Sequence, residues 1–128
     1  MRESMGKYRG KRVDNGEWVY GSLTIYKYDD DHIEYGNTDV EIMGVHGDYN
    51  TVDPATVGQF TGRQDTKAID VYEGDIWNRG QFTGVIKFKL GGWHIEPHPD
   101  SDVISYPDFN SNIDTGEVIG NIHDEASE

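Results

Sequence analysis

The chain reads as a mainly β protein with little helix, and three observations carry that reading. No window of about 11 residues holds a 3.6-residue apolar period, so helices are expected to be few. Aromatic and β-branched residues fill stretches such as 17–26 and 82–90, as pleated, half-buried strands require. Gly-containing pairs that close hairpins border both stretches, Asn15-Gly16 before the first and Gly91-Gly92 after the second. The architecture predicted is an N-terminal β-hairpin lobe packed with a small, partly open, SH3-like barrel. Residues 1–128 form a single domain on this reading, with lobes at 1–52 and 53–128.

The elements follow in order. Residues 8–13 alternate well enough for a first strand. Asp14-Asn15-Gly16 then supplies the pair of positive-φ positions that a type I′ turn needs. The return strand, 17–26, places Trp18, Tyr20, Ser22 and Thr24 on one face. Val19, Gly21, Leu23 and Ile25 lie on the other, the expected core face. Asp29-Asp30-Asp31 is an acidic loop, 32–35 a short strand, Gly36-Asn37 a turn, and 40–46 a weakly alternating segment.

The stretch from 53 to 77 holds the densest turn chemistry. Asp53-Pro54 is a helical start, because Asp accepts orphan amide bonds and Pro fits the first helical position. Thr61-Gly62 reads as a turn. Glu73-Gly74-Asp75 reads as a turn feeding a strand, with Gly74 at positive φ and Asp75 bonding nearby amides. Beyond it come a strand at 75–77, a turn at Arg79-Gly80, a long strand at 82–90, the Gly91-Gly92 turn and a strand at 93–96. Pro97, Pro99 and Pro107 break the next segment into loop, with Val103-Ile104 on an edge. Residues 118–122 make a last short strand.

V-G-Q-F-T-G at 57–62 followed by Y-E-G-D-I at 72–76 resembles the YopX-like family of small bacteriophage proteins. R-G-K-R-V-D-N-G-E-W-V-Y-G-S-L at 9–23 is similar to that family's opening block, and E-V-I-G-N-I at 117–122 to its closing block. The three blocks fall in the family's order and cover most of the chain. One departure sits in the middle: the family usually has an Asn-Gly type turn before Y-E-G-D, and this chain has Asp65-Thr66-Lys67-Ala68. The resemblance implies the fold and a phage or prophage setting, but no catalytic residues.

Composition narrows the function classes. The chain has 128 residues and no Cys, which excludes disulfides and thiolate zinc sites. No apolar run approaches the roughly 20 residues of a membrane span. Met1-Arg2-Glu3-Ser4 is not followed by an apolar segment, so no secretory signal is expected, and the expected location is the cytoplasm of the bacterial host. Lys and Arg total 11 against 24 Asp and Glu, a net charge of −13. Such a charge repels nucleic acid, whose binding depends on replacing counterions with cations. The basic residues are uneven, however: Arg2, Lys7, Arg9, Lys11 and Arg12 crowd the first twelve positions, and none follows Lys89.

Three chemistries remain to weigh. His94-x-Glu96-x-His98 places two imidazoles and a carboxylate at period 2, a metal-ligand set if the strand is regular; Pro97 and Pro99 argue instead for a solvated polar edge. Asp29-Asp30-Asp31 with Glu34 lacks the Gly and bidentate Glu of a calcium loop. Glu73 and Asp75 flank Gly74 as a carboxylate pair for acid–base work, although the turn alone explains Asp75. Strand aromatics such as Trp18, Tyr20, Trp77 and Trp93 form either a peptide groove or core packing.

The function expected is a non-enzymatic protein-interaction module without cofactor or membrane partner. Its binding residues would come from Arg9, Lys11, Arg12, Trp18, Tyr20, Gln59, Tyr72, Glu73, Asp75 and Trp77. The basic strand at 8–12 meeting the acidic tail of a second copy would give a homo-oligomer. The alternatives are a nucleic-acid-associated protein using Arg9, Lys11 and Arg12, and a metal-dependent enzyme using His94, Glu96 and His98.

Overall fold

A computed structural model describes residues 7–27, 38–44, 46–98 and 107–126. The expected strand at 32–35, the Gly36-Asn37 turn, the acidic loop and its calcium reading, and the Val103-Ile104 edge lie outside those residues. The protein is mainly β, and among the described residues there are two antiparallel sheets and no closed barrel. The chain forms two compact units, 1–59 and 60–128. The division falls after Gln59 rather than at 52, because the turn after Asp53 is tied to the first strand. There the Asp53 amide donates to the Lys11 carbonyl at 2.9 Å, and the Lys11 amide donates to Thr56 Oγ1 at 2.9 Å.

In the first unit, β1 (Tyr8–Lys11) pairs antiparallel with β2 (Trp18–Lys27), β2 with β3 (Thr38–Met43), and β3 with β4 (Tyr49–Thr51). Period 2 sends Val19 and Leu23 to a small core of Val40, Ile42 and Val52, as expected. Ile25 does not join it and is 54% exposed. Among the described residues β1 reaches only as far as Gly21, so at Ile25 the sheet is flanked by β3 alone. The hairpin between β1 and β2 also differs from a type I′ turn. Gly16 has φ 73, but Asn15 is not at positive φ. The loop is longer: Gly16 donates to the Arg12 carbonyl and Arg12 to the Glu17 carbonyl, both at 2.9 Å. Asn15 is free to take an ordinary φ because four residues share the reversal.

A short 3₁₀ turn, Pro54–Thr56, starts as predicted, with Asp53 Oδ1 accepting from the Ala55 amide at 3.0 Å. It feeds β5 (Gly58–Gln64), whose first residues pair with β1. Thr61-Gly62 is not a turn but part of this strand. Gly62 takes φ 84 where the pairing register with β6 (Asp70–Tyr72) shifts, so the strand absorbs the turn signal as a bulge.

The second unit is organised on the sheet order β10-β7-β8-β9, where β7 is Asp75–Arg79, β8 Phe82–Lys89, β9 Gly92–Pro97 and β10 Glu117–Asn121. This is the predicted meander plus the predicted last strand. Its hairpin tip is Leu90-Gly91, not Gly91-Gly92: Lys89 pairs with Gly92, and φ is 53 at Leu90 and 76 at Gly91. Two consecutive positive φ values define the type I′ geometry that a two-residue loop favours. One face of the sheet contributes Trp77, Ile86 and Ile95 to a core completed by Val71, Phe82, Phe109 and Ile113. Phe109 and Ile113 belong to helical turns that the sequence reading treated as loop, α1 (Phe109–Asn112) and a 3₁₀ turn, Ile113–Thr115. Asp108 caps α1 by accepting from the Ser111 amide at 3.1 Å. A second short helix, α2 (Ile122–Ala126), follows β10. Helices this short have no 3.6 period to detect; capping and two apolar anchors specify them.

Candidate functional site

The predicted binding residues separate into two groups. Arg9 and Lys11 alternate along β1, so they project from the face opposite Tyr8. Antiparallel pairing sets Arg9 across from Tyr20 and Lys11 across from Trp18. The result is a strip of cations on an aromatic face. The Arg9 guanidinium carbon lies 4.7 Å from the Trp18 ring centroid and Lys11 Nζ lies 5.6 Å from it. Both distances fall within cation–π range. Arg9 is only 6% exposed, so little of it is presented to solvent. Arg12 stands apart and forms a two-pronged pair with Asp14, at 3.0 Å to Oδ1 and 2.7 Å to Oδ2. That hydrogen bond holds the Asp14 carboxyl below the ordinary carboxylate range and the Arg12 guanidinium above its own. Gln59 is exposed on β5 opposite Tyr8. β1 itself is flanked by β2 and β5, so it has no open edge for a strand from a second copy; an acidic segment would have to meet its side chains.

Of the other group, Tyr72, Asp75 and Trp77 belong to the second unit's interior, while Glu73 is half-buried. Tyr72 is 2% exposed, Asp75 1% and Trp77 0%. Asp75 Oδ2 accepts from the Tyr72 amide at 2.7 Å, closing the Y-E-G-D turn as its sequence implies. Gly74 sits at φ 91, donates to the Ile86 carbonyl at 2.8 Å and accepts from the Ile122 amide at 2.9 Å. The turn thus locks the starts of β7 and α2 onto β8. Trp77 Nε1 donates to the Ile113 carbonyl at 3.0 Å, and its ring meets Phe82 edge-on at 6.1 Å. These side chains hold the fold, and Trp77 has no surface to offer a ligand.

His94, Glu96 and His98 do not converge. His94 Nε2 lies 3.1 Å from the Lys89 carbonyl, and Glu96 pairs with the Lys89 ammonium. His98 is buried past the end of β9, its amide donating to the Thr83 carbonyl at 2.9 Å. Among the described residues no group of three or more His, Cys, Asp or Glu is placed to hold a metal ion.

The surface that sequence reasoning missed lies at the β8–β9 tip. Leu90 is 94% exposed and Phe88 48%. Phe88 meets Trp93 edge-on at 5.0 Å, and Trp93 stacks on Phe109 at 6.2 Å. A groove of about 510 Å³ runs beside them, between β9 and the segment from Pro107 to Asn110. Among the described residues β9 is the last strand of its sheet. An apolar residue at the tip of a tight turn is the one signal that pointed here, since turns favour polar residues. Phe109 was not traceable, because it is brought to Trp93 only by the fold. The groove is lined by β9 on one side and by Pro107, Asp108, Phe109 and Asn110 on the other, with Phe109 buried, and its form suits noncovalent recognition of a chain segment.

Two antiparallel sheets, a Y-E-G-D clamp and a groove beside β9 characterise the described residues. The family model described as YopX protein matches residues 7–127, and the chain belongs to the YopX family. It is similar in fold to the crystal structure of protein EF1440 from Enterococcus faecalis. That match has a TM-score of 0.52 and 22% identity, and covers 94% of each chain. The chain matches no curated protein. Among the described residues no helix is long and apolar enough to cross a membrane.

Proposed function

We propose that this chain is a phage- or prophage-encoded, non-enzymatic protein-interaction module acting in the host cytoplasm, with the β7–β8–β9 meander as an SH3-like recognition platform. The observation that carries the reading is the β8–β9 tip. Leu90 and Phe88 are held in water by a tight hairpin beside the aromatic groove, although exposing them costs stability. The partner taken is an extended, apolar peptide segment of another protein. The strip at Arg9, Lys11 and Trp18 supports a nucleic-acid reading less well, because Arg9 is nearly buried and the chain carries a net charge of −13.

The test is a tagged pull-down from host lysate with and without nuclease. It uses the natural chain and the double variant Phe88→Asp, Leu90→Asp, whose two residues are not members of the core cluster. One protein recovered in both samples by the natural chain, and lost with the variant, is the expected result. Recovery that disappears with nuclease, or that the variant retains in full, refutes the reading.

A further inference from the structure

We infer that Asn15 is a deamidation site and that the β1–β2 loop restrains the reaction while the hairpin is closed. Asn15 is the only asparagine in the chain followed by glycine. Both residues are exposed, and a Cβ built on Gly16 would meet nothing within 4 Å. The reaction needs nothing beyond water. The Gly16 amide nitrogen loses its proton to hydroxide and attacks Asn15 Cγ. The Cγ–Nδ2 bond breaks, ammonia leaves with a proton from solvent, and a five-membered succinimide closes. Water then opens the ring at either carbonyl, giving aspartate or isoaspartate at position 15. Glycine permits the approach because no side chain stands beside the attacking nitrogen. Asparagine is among the heat-labile residues for this kind of reason.

Two hydrogen bonds oppose the attack. The Gly16 N–H donates to the Arg12 carbonyl at 2.9 Å, and Asn15 Oδ1 accepts from the Glu17 amide at 2.9 Å. The nitrogen must leave the first bond and the side-chain amide the second before Cγ and N can meet. The rate therefore follows local opening of the loop. The product matters to this hairpin. A carboxylate at 15 lies between Asp14 and Glu17, and an isoaspartyl link adds a methylene inside the loop closed by Arg12 and Glu17.

The experiment ages the full chain in mildly alkaline buffer, with and without guanidinium, beside the variant Asn15→Gln, and reads position 15 by peptide mapping with isoaspartate-resolving fragmentation. Aspartate and isoaspartate appearing at 15, several-fold faster in denaturant and absent from the variant, is the expected result. Position 15 staying intact under both conditions, or another asparagine of the folded chain converting first, overturns the site. Equal rates with and without denaturant overturn the restraint.

Discussion

Asp65 is the most informative residue to change. Its carboxylate is 5% exposed and accepts three backbone N–H bonds. Lys67 and Ile69 donate to Oδ1 at 2.8 and 3.0 Å, and Val118 donates to Oδ2 at 2.8 Å. The first two shape the turn that ends with Ala68 at φ 62, and the third fastens that turn to β10. Asp65→Ala leaves three amides without their acceptor. A charge-assisted hydrogen bond contributes about 1.5–3 kcal/mol, but water and relaxation recover part of that, so a loss of about 3–5 kcal/mol is expected. Asp65→Asn separates the two functions. Its one carbonyl oxygen still serves Lys67 and Ile69, while its amide group meets the Val118 N–H donor to donor. The expected cost is about 1–3 kcal/mol, concentrated at the β10 end. Denaturant unfolding gives the magnitude, and amide hydrogen exchange at Val118 gives the location. Asp65→Asn within about 0.5 kcal/mol of the natural chain, with Val118 protection unchanged, would refute the reasoning.

Other outcomes follow from the same structure. Leu90→Asn should stabilise by about 1 kcal/mol, because asparagine tolerates the left-handed position that leucine holds at φ 53; no rise in the unfolding midpoint would count against it. Trp77→Phe should cost about 2–4 kcal/mol, since it opens space in the core and strands the Ile113 carbonyl, and a loss under about 1 kcal/mol would contradict that role. The Asp14 carboxyl is lowered by its Arg12 hydrogen bond, and the Asp48 carboxyl by the bond from Asn50. Lowered folded values mean that their contribution is present above the ordinary carboxylate range and fades as pH falls through the folded values. Thermal melts of Asp14→Asn and Asp48→Asn should therefore converge on the natural chain in acid and separate at neutral pH. Both groups are fully exposed, so the separation should be small and shrink with salt.

Local chemistry was legible before any fold was known. Asp53-Pro54 capped its turn, Glu73-Gly74-Asp75 made its own clamp, and the 82–90 and 93–96 strands appeared where alternation placed them, because each depends on neighbours in sequence. The Arg9, Lys11, Trp18 and Tyr20 strip was also foreseeable, since period 2 and one hairpin suffice to align it. Tertiary structure decided the rest. Thr61-Gly62 became a bulge because β6 offered a partner, and Leu90-Gly91 became the tip because the β8–β9 register left Gly92 paired. Trp77 turned inward because the Ile113 carbonyl, 36 positions away, accepts its indole N–H. Asp65 shapes its turn through neighbours in sequence, but only the fold brings Val118, 53 positions away, to the other oxygen of its carboxylate. Burial and long-range hydrogen bonding depend on what the fold brings alongside a residue, and that information is carried by no single stretch of the chain.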